Sequence, residues 1–253
     1  MTSLKRIAVT ALVGASLTAS TGVVGQTKPQ AKPGVEINLT TRSGQKTLTD
    51  VGVNEPVVKG LPYSGEGITT VKLTMFDGTK MERTVTAKLY RDSAGRLRRE
   101  QAVVGLEALD PNSDFRAIVH IVDPVADVFY TLNPATRTAD RLPLSMLKGG
   151  VKPLSVPLEY AKEEVGLGLK DIDGFSAQGR RTTTTIPTNQ IGNSRPIEII
   201  DELWESTELK VLLRSLHRDP RTGDIEYALT KISRTEPPAS MFTVPSGYTI
   251  RDF

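Results

Sequence analysis

Ile68-Thr69-Thr70-Val71-Lys72-Leu73-Thr74-Met75-Phe76-Asp77-Gly78-Thr79-Lys80-Met81-Glu82-Arg83-Thr84-Val85-Thr86-Ala87-Lys88-Leu89 is the stretch that decides the fold. Ahead of Asp77-Gly78, Thr69, Val71, Leu73 and Met75 alternate with Ile68, Thr70, Lys72 and Thr74. After it, Met81, Val85, Ala87 and Leu89 alternate with Lys80, Glu82, Thr84, Thr86 and Lys88. A period of two is the signature of a strand with one covered face and one wet face. The apolar residues are odd-numbered on both sides, and directly opposed residues share a face, so the register pairs odd with odd. A two-residue Asp-Gly loop cannot do this. A three-residue loop, Phe76-Asp77-Gly78, with Gly78 left-handed, places Leu73 opposite Met81.

Further strands follow in both directions. A turn at Asp92-Ser93-Ala94-Gly95 leads into Arg96–Val104, and Ala117–Val122 is a nearly continuous apolar run ended by Asp123-Pro124. Asp127–Leu132 and a polar strand to Leu142 come next. Leu144–Leu158, with two Pro and Gly149-Gly150, reads as a connector containing a short helical turn. Tyr160–Leu169, Phe175–Ile186, Pro196–Glu205, Leu209–Arg218 and Ile225–Arg234 complete the strands, and Val35–Thr41 is a further short candidate. A Pro-bounded turn over 236–245 can pin Phe242. The 29 Thr suit such a chain. The fold class is therefore all-β with minor α: a strongly curved antiparallel sheet or open half-barrel of about ten strands with one or two short helical segments.

Residues 1–25 read as a signal peptide: Lys5 and Arg6, the apolar stretch Ile7–Leu17, then small residues up to Gly25. Removing it lowers the formal charge from +3 to +1, which leaves no case for a nucleic-acid partner. No other stretch approaches membrane-spanning length, so no stable transmembrane anchor is expected after cleavage. The expected destination is a bacterial periplasm or the exterior. Residues 26–64 read as a flexible N-terminal segment and 65–253 as a single β domain.

The chain has no Cys and two His, which removes thiol chemistry, disulfides and Cys-based metal sites. His120 and Asp123 are three apart on a strand and point to opposite faces, a poor local site. Ser215-Leu216-His217-Arg218-Asp219 spells a triad in letters only. Ser215 and His217 would stand about 7 Å apart along a strand, too far for a hydrogen bond. His217 is expected to face solvent beside a charged turn. The acid pairs Glu163-Glu164, Asp171 with Asp173, and Asp201-Glu202 lack sugar-stacking neighbours, and Asp171-Ile172-Asp173-Gly174 lacks the later ligands of a calcium loop. No cofactor, metal site or enzymatic activity is expected. A hydrolase using His120 or His217 is the least supported alternative.

Two sets of side chains remain as binding candidates. Val71, Leu73, Val85, Leu89, Val119, Ile121 and Leu212, with Trp204 on a neighbouring strand, are read as one apolar face that must be covered by protein or by a lipid, lipoprotein or other hydrophobic ligand. Arg91, Arg96, Arg98 and Arg99 form the strongest basic cluster, read as an exposed hairpin contact for an envelope protein partner, with a solvated set of cross-strand ion pairs as the alternative.

Tyr90-Arg91-Asp92-Ser93-Ala94-Gly95-Arg96, Val122-Asp123-Pro124 with Tyr130-Thr131-Leu132, Arg181–Pro187, Ile191-Gly192-Asn193 and Phe242-Thr243-Val244-Pro245-Ser246-Gly247-Tyr248 resemble a family of uncharacterised secreted bacterial proteins. The likeness covers most of residues 65–250 and implies no activity. More distantly, the Asp-Pro…Tyr-Thr-Leu strand pair and the closing Phe-x-Val-Pro-x-Gly-Tyr are similar to periplasmic half-barrels of the lipoprotein-carrier (LolA) and anti-sigma-regulator (RseB) type. That resemblance implies an open curved sheet with helices plugging an apolar cavity, acting by binding acyl chains or sensing lipoproteins. It carries over no catalytic residue. The chain departs from the pattern in lacking a long N-terminal helix and a strong plug at Leu144–Leu158.

Overall fold

The hairpin forms as its parity requires. In a computed structural model that describes residues 56–102, 117–147 and 160–253, strand β1 (Tyr63–Thr74) pairs with β2 (Lys80–Arg91), and Leu73 lies opposite Met81. Met75 N donates to Thr79 O at 2.8 Å and Gly78 N to Met75 O at 2.9 Å, with Gly78 at φ +85°. The loop is thus Phe76-Asp77-Gly78, and the Asp77 carboxylate ties it by accepting from Thr79 N at 2.9 Å.

From β1 and β2 the chain runs outward as a meander: β3 (Leu97–Ala102), β4 (Ala117–Asp123), β5 (Val128–Asn133) and β6 (Thr138–Pro143), followed by a single helical turn, α1 (Leu144–Leu147). The second half starts at the other edge with β7 (Ala161–Ile172) and comes inward through β8 (Phe175–Ile186), β9 (Ile197–Ser206), β10 (Leu212–Asp219) and β11 (Gly223–Ser233). It closes on β1, giving one sheet in the order β12-β6-β5-β4-β3-β2-β1-β11-β10-β9-β8-β7. Every neighbouring pair is antiparallel except β6 with β12 (Thr249–Asp252), a short parallel strand absent from the sequence reading. Among the described residues the sheet is open and has twelve strands, the expected open all-β half-barrel with two strands more than the expected ten or so.

It is also curled. Arg91, at the end of β2, donates from Nη2 to the carbonyl of Leu209 just ahead of β10, although β1 and β11 lie between β2 and β10 in the sheet. A flat sheet would hold β2 and β10 roughly 14 Å apart. Two glycines of β1 permit the coiling. A Cβ on Gly67 would stand 2.9 Å from the Tyr227 ring and 3.1 Å from Leu89, and one on Gly65 would stand 3.0 Å from Leu229. Side chains of both flanking strands therefore lie across the backbone of β1.

Register divides the side chains between two faces. The front face carries Tyr63, Gly65, Gly67, Thr69, Val71 and Leu73 of β1. Opposed pairing extends it to Arg91, Leu89, Ala87, Val85, Arg83 and Met81 on β2, then to Leu97, Arg99 and Gln101 on β3 and to Val122, His120 and Ile118 on β4. The back face holds Val119, Ile121, Leu132 and Ala139, and the C-terminal segment closes it. A 3-10 turn, Ala239–Phe242, sets Phe242 among those four residues with Tyr90 and Tyr130 around them. On the front, Leu144 and Leu147 pack on Val122, Phe129, Leu97 and Leu142. Strand β4 is covered on both faces, which is why its sequence is an almost unbroken apolar run.

Strand β1 begins two residues ahead of the boundary expected at residue 65, and residues 56–62 are tied to the sheet. Gly60 N donates to Ser93 O at 2.9 Å, and Leu61 O accepts from Arg91 Nε at 2.9 Å. The expected signal peptide, the candidate strand Val35–Thr41 and residues 103–116 and 148–159 lie outside the described residues. No helix among the described residues is long and apolar enough to cross a membrane.

Candidate functional site: the front face of the central hairpin

Side chains opposed strand by strand make rows across the front face. One row runs Thr182, Asp201, His217, Ile225, Val71, Arg83 from β8 to β2. The next contains Ser215, Tyr227, Thr69 and Val85. Rows nearer Tyr63 are sealed: Tyr63, Leu229, Leu213, Leu209, Ile172, Phe175 and Ala177 form one buried cluster, with Leu89, Trp204 and Tyr227 packed against it. Toward the hairpin the cover thins. Val71, Leu73, Val85 and Ile225 are half-buried, and Met81 is 56% exposed. The back face of the same strands is polar, with Thr70 against Thr84 at 3.1 Å and Lys72 against Glu226 at 2.8 Å.

The eight expected ligand-facing residues therefore do not share a face. Val71, Leu73, Val85 and Leu89 do, Leu89 lying toward the sealed end. Val119 and Ile121 pair with Glu100 and Arg98 and belong to the back, under Phe242. Leu212 is buried at the far end of β10. Trp204 packs at that sealed end too, its indole over Gly179, where a Cβ would stand 2.5 Å from the ring. Ile225 and Tyr227 were missed, although Ile225-Glu226-Tyr227-Ala228-Leu229-Thr230 alternates as cleanly as β1.

The arginine cluster is not an exposed contact. Arg91 and Arg99 are buried on the front face. Arg91 lies 4.9 Å over the Tyr63 ring and donates to two carbonyls; burial holds its pKa below the ordinary value, against the pull of Tyr63. Arg99 donates from Nε and Nη2 to Gln101 Oε1 at 3.0 and 2.8 Å. Burial pushes the Tyr63 and Tyr227 hydroxyls up, with Arg91 and Arg99 opposing it at Tyr63 and Arg99 at Tyr227. Arg98 faces the back and holds the C-terminal segment, donating to Met241 O at 2.8 Å and to Glu100 at 2.7 Å. Arg96 binds Asp92 at 2.6 Å and lies 5.2 Å over the Phe242 ring. Consecutive strand residues point to opposite faces, so Arg98 and Arg99 could never have formed one patch.

His217 is not solvent-facing. It is 2% exposed, and its Nδ1 stands 2.7 Å from Asp201 Oδ1, which is itself buried. Asp201 orients the ring as a catalytic carboxylate would, but Ser215 makes no hydrogen bond to it, and the pair is shut in the sheet. Asp219, next on this face, is buried and bound by Arg221 through Nε and Nη2 at 2.9 and 2.6 Å. Burial raises its pKa, but the Arg221 hydrogen bonds outweigh that and hold it below the usual carboxylate range. His120 stacks on Phe129 at 5.5 Å and lies opposite Arg99. Among the described residues no group of three or more His, Asp or Glu could hold a metal ion.

No protein-family model matches the sequence, and no curated protein matches it. Solved structures do. The chain is similar to an uncharacterised conserved protein from Thermus thermophilus at 11% identity and TM-score 0.44, over 80% of this chain and 94% of that one. It is similar to the MucA/MucB complex of Pseudomonas aeruginosa at 9% identity and TM-score 0.41, over 78% of this chain but 58% of that one. A LolA superfamily protein from Nitrosomonas europaea matches at 8% identity and TM-score 0.32, over 76% and 95%.

Proposed function

We propose that this is a non-enzymatic binding or carrier protein, exported from the cytoplasm, that seats an apolar ligand on the front face at the hairpin end. One observation carries the reading. Val71, Leu73, Val85 and Ile225 continue the sealed core into a half-open apolar surface, while the reverse side of the same strands is Thr, Lys and Glu. A face that only needed solvation would carry polar side chains on both sides. An acyl chain suits the patch because it needs area and dispersion contact rather than directed hydrogen bonds. The buried Asp201–His217 pair borders the seat and fixes β9 to β10 beneath it.

Native mass spectrometry of protein taken from cells, before and after delipidation, tests this. Added mass in the first sample and its loss in the second are expected, with a fluorescent fatty acid then refilling the delipidated protein. Val71→Asp and Ile225→Asp should abolish refilling. Ligand-free mass in both samples, together with no uptake of the fatty acid, would sink the reading.

A further inference from the structure

The seat ends at a tip that the carrier reading does not use. Phe76 is fully exposed at the apex of the β1–β2 loop, Met81 is 56% exposed and Met75 37%. These three large apolar side chains fall within seven residues, on and beside a three-residue turn that is already closed by its own hydrogen bonds. Nothing in the turn needs a Phe: Gly78 supplies the left-handed position and Asp77 the side-chain acceptor. Exposed apolar side chains grouped in this way mark a contact.

We propose that this tip is a membrane-docking element that inserts Phe76, Met75 and Met81 into the interfacial layer of a lipid bilayer. The shape favours a bilayer over a protein. A narrow convex apex gives a partner protein little area to bury, whereas a soft interface closes around it. Lys80 and Arg83 are both exposed and form no ion pair among the described residues; Lys80 stands just behind the apex opposite Thr74, and Arg83 lies farther back opposite Val71, with the exposed Glu82 one residue before it. They sit where phosphate head groups would lie. Asp77 opposes this, since the hydrogen bonds it accepts from Thr79 hold its pKa below the ordinary carboxylate value, and so insertion stays shallow, within the head-group layer. The docking is independent of whether the front face holds a ligand.

Co-sedimentation with vesicles tests it, using protein that begins at residue 26. One set of vesicles is phosphatidylethanolamine with phosphatidylglycerol, the other phosphatidylcholine alone. The native protein should pellet with both, and more tightly with the first. Phe76→Ser should weaken binding to both roughly tenfold, the burial worth of one large apolar side chain. Lys80→Gln with Arg83→Gln should remove only the preference for the anionic vesicles, and Asp77→Asn should strengthen binding to them. Far-UV circular dichroism verifies that each variant is folded, and fatty-acid uptake by Phe76→Ser should stay native, which separates this result from any failure of the carrier reading. Native protein left in the supernatant with both vesicle types, or Phe76→Ser pelleting as the native protein does, overturns the proposal.

Discussion

The two halves of the first meander use the same strand chemistry to opposite ends. In β4 and β5 both faces are roofed, the back by Phe242 and its C-terminal segment and the front by Leu144 and Leu147. In β1 and β2, away from Tyr63, the back is wet and the front half-open. The difference is visible in the residues. Ile118-Val119-His120-Ile121-Val122 has lost its alternation because neither face needs water, while β1 and β2 keep theirs. The roofed strands bury both faces, whereas the hairpin end of β1 and β2 leaves one face half-open.

The sharpest way to break the comparison is to lift the roof. Phe242 is 2% exposed and touches strands through Val119, Ile121, Leu132 and Ala139. Phe242→Ala should cost about 3–5 kcal/mol, measured by urea denaturation. A loss below about 1 kcal/mol would mean that the roof is an appendage and not the core of that half. Next in size is the notch that lets the sheet curl. Gly67→Val puts branched carbon against the Tyr227 ring and Leu89 and should cost about 1–3 kcal/mol. An unchanged denaturation midpoint would show that Tyr227 has room to move and that the coiling does not depend on the notch.

How far the sequence discloses this arrangement depends on the range of the interactions. Parity within one hairpin is local, and Leu73 opposite Met81 follows from it. Phe242 as a pinned residue follows from the prolines around it. Faces across several strands do not follow. Leu89 and Val119 part company because β3 intervenes with its own register, and an unbroken apolar run such as β4 carries no parity to follow. His217 is buried because Asp201, sixteen residues earlier, meets it across a strand pair. Arg98 and Arg99 are a different case: their opposite facing was legible from alternation alone, and reading them as one surface cluster ignored it.

Acid should weaken the β10–β11 turn before it reaches the roofed half. Asp219 has a folded-state pKa below its unfolded value, so its pairing with Arg221 stabilises above about pH 4 and is lost as pH falls through the folded value. Arg221→Gln should therefore cost about 1 kcal/mol near neutrality, discounted for the exposure of the guanidinium, and nothing once both proteins are fully protonated. A gap that persists unchanged into acid would assign the effect to packing of the arginine stem instead.

The smallest expected effect, at Val85, sharpens the comparison most when it is set beside Val119. Val85 and Val119 are the same residue on strands of one sheet, the first half-buried on the open front and the second 6% exposed under Phe242. Val→Thr keeps the shape and adds a hydroxyl. At Val119 that hydroxyl is buried against Phe242 with apolar neighbours and should cost about 1–3 kcal/mol. At Val85 it meets a surface that water reaches, and the cost should stay within about 0.5 kcal/mol. Fatty-acid uptake should respond in the reverse order, weakened by Val85→Thr and untouched by Val119→Thr in protein that remains folded. Equal stability costs at the two valines would mean that the hairpin end is as sealed as the roofed half, and the seat proposed there would have no opening.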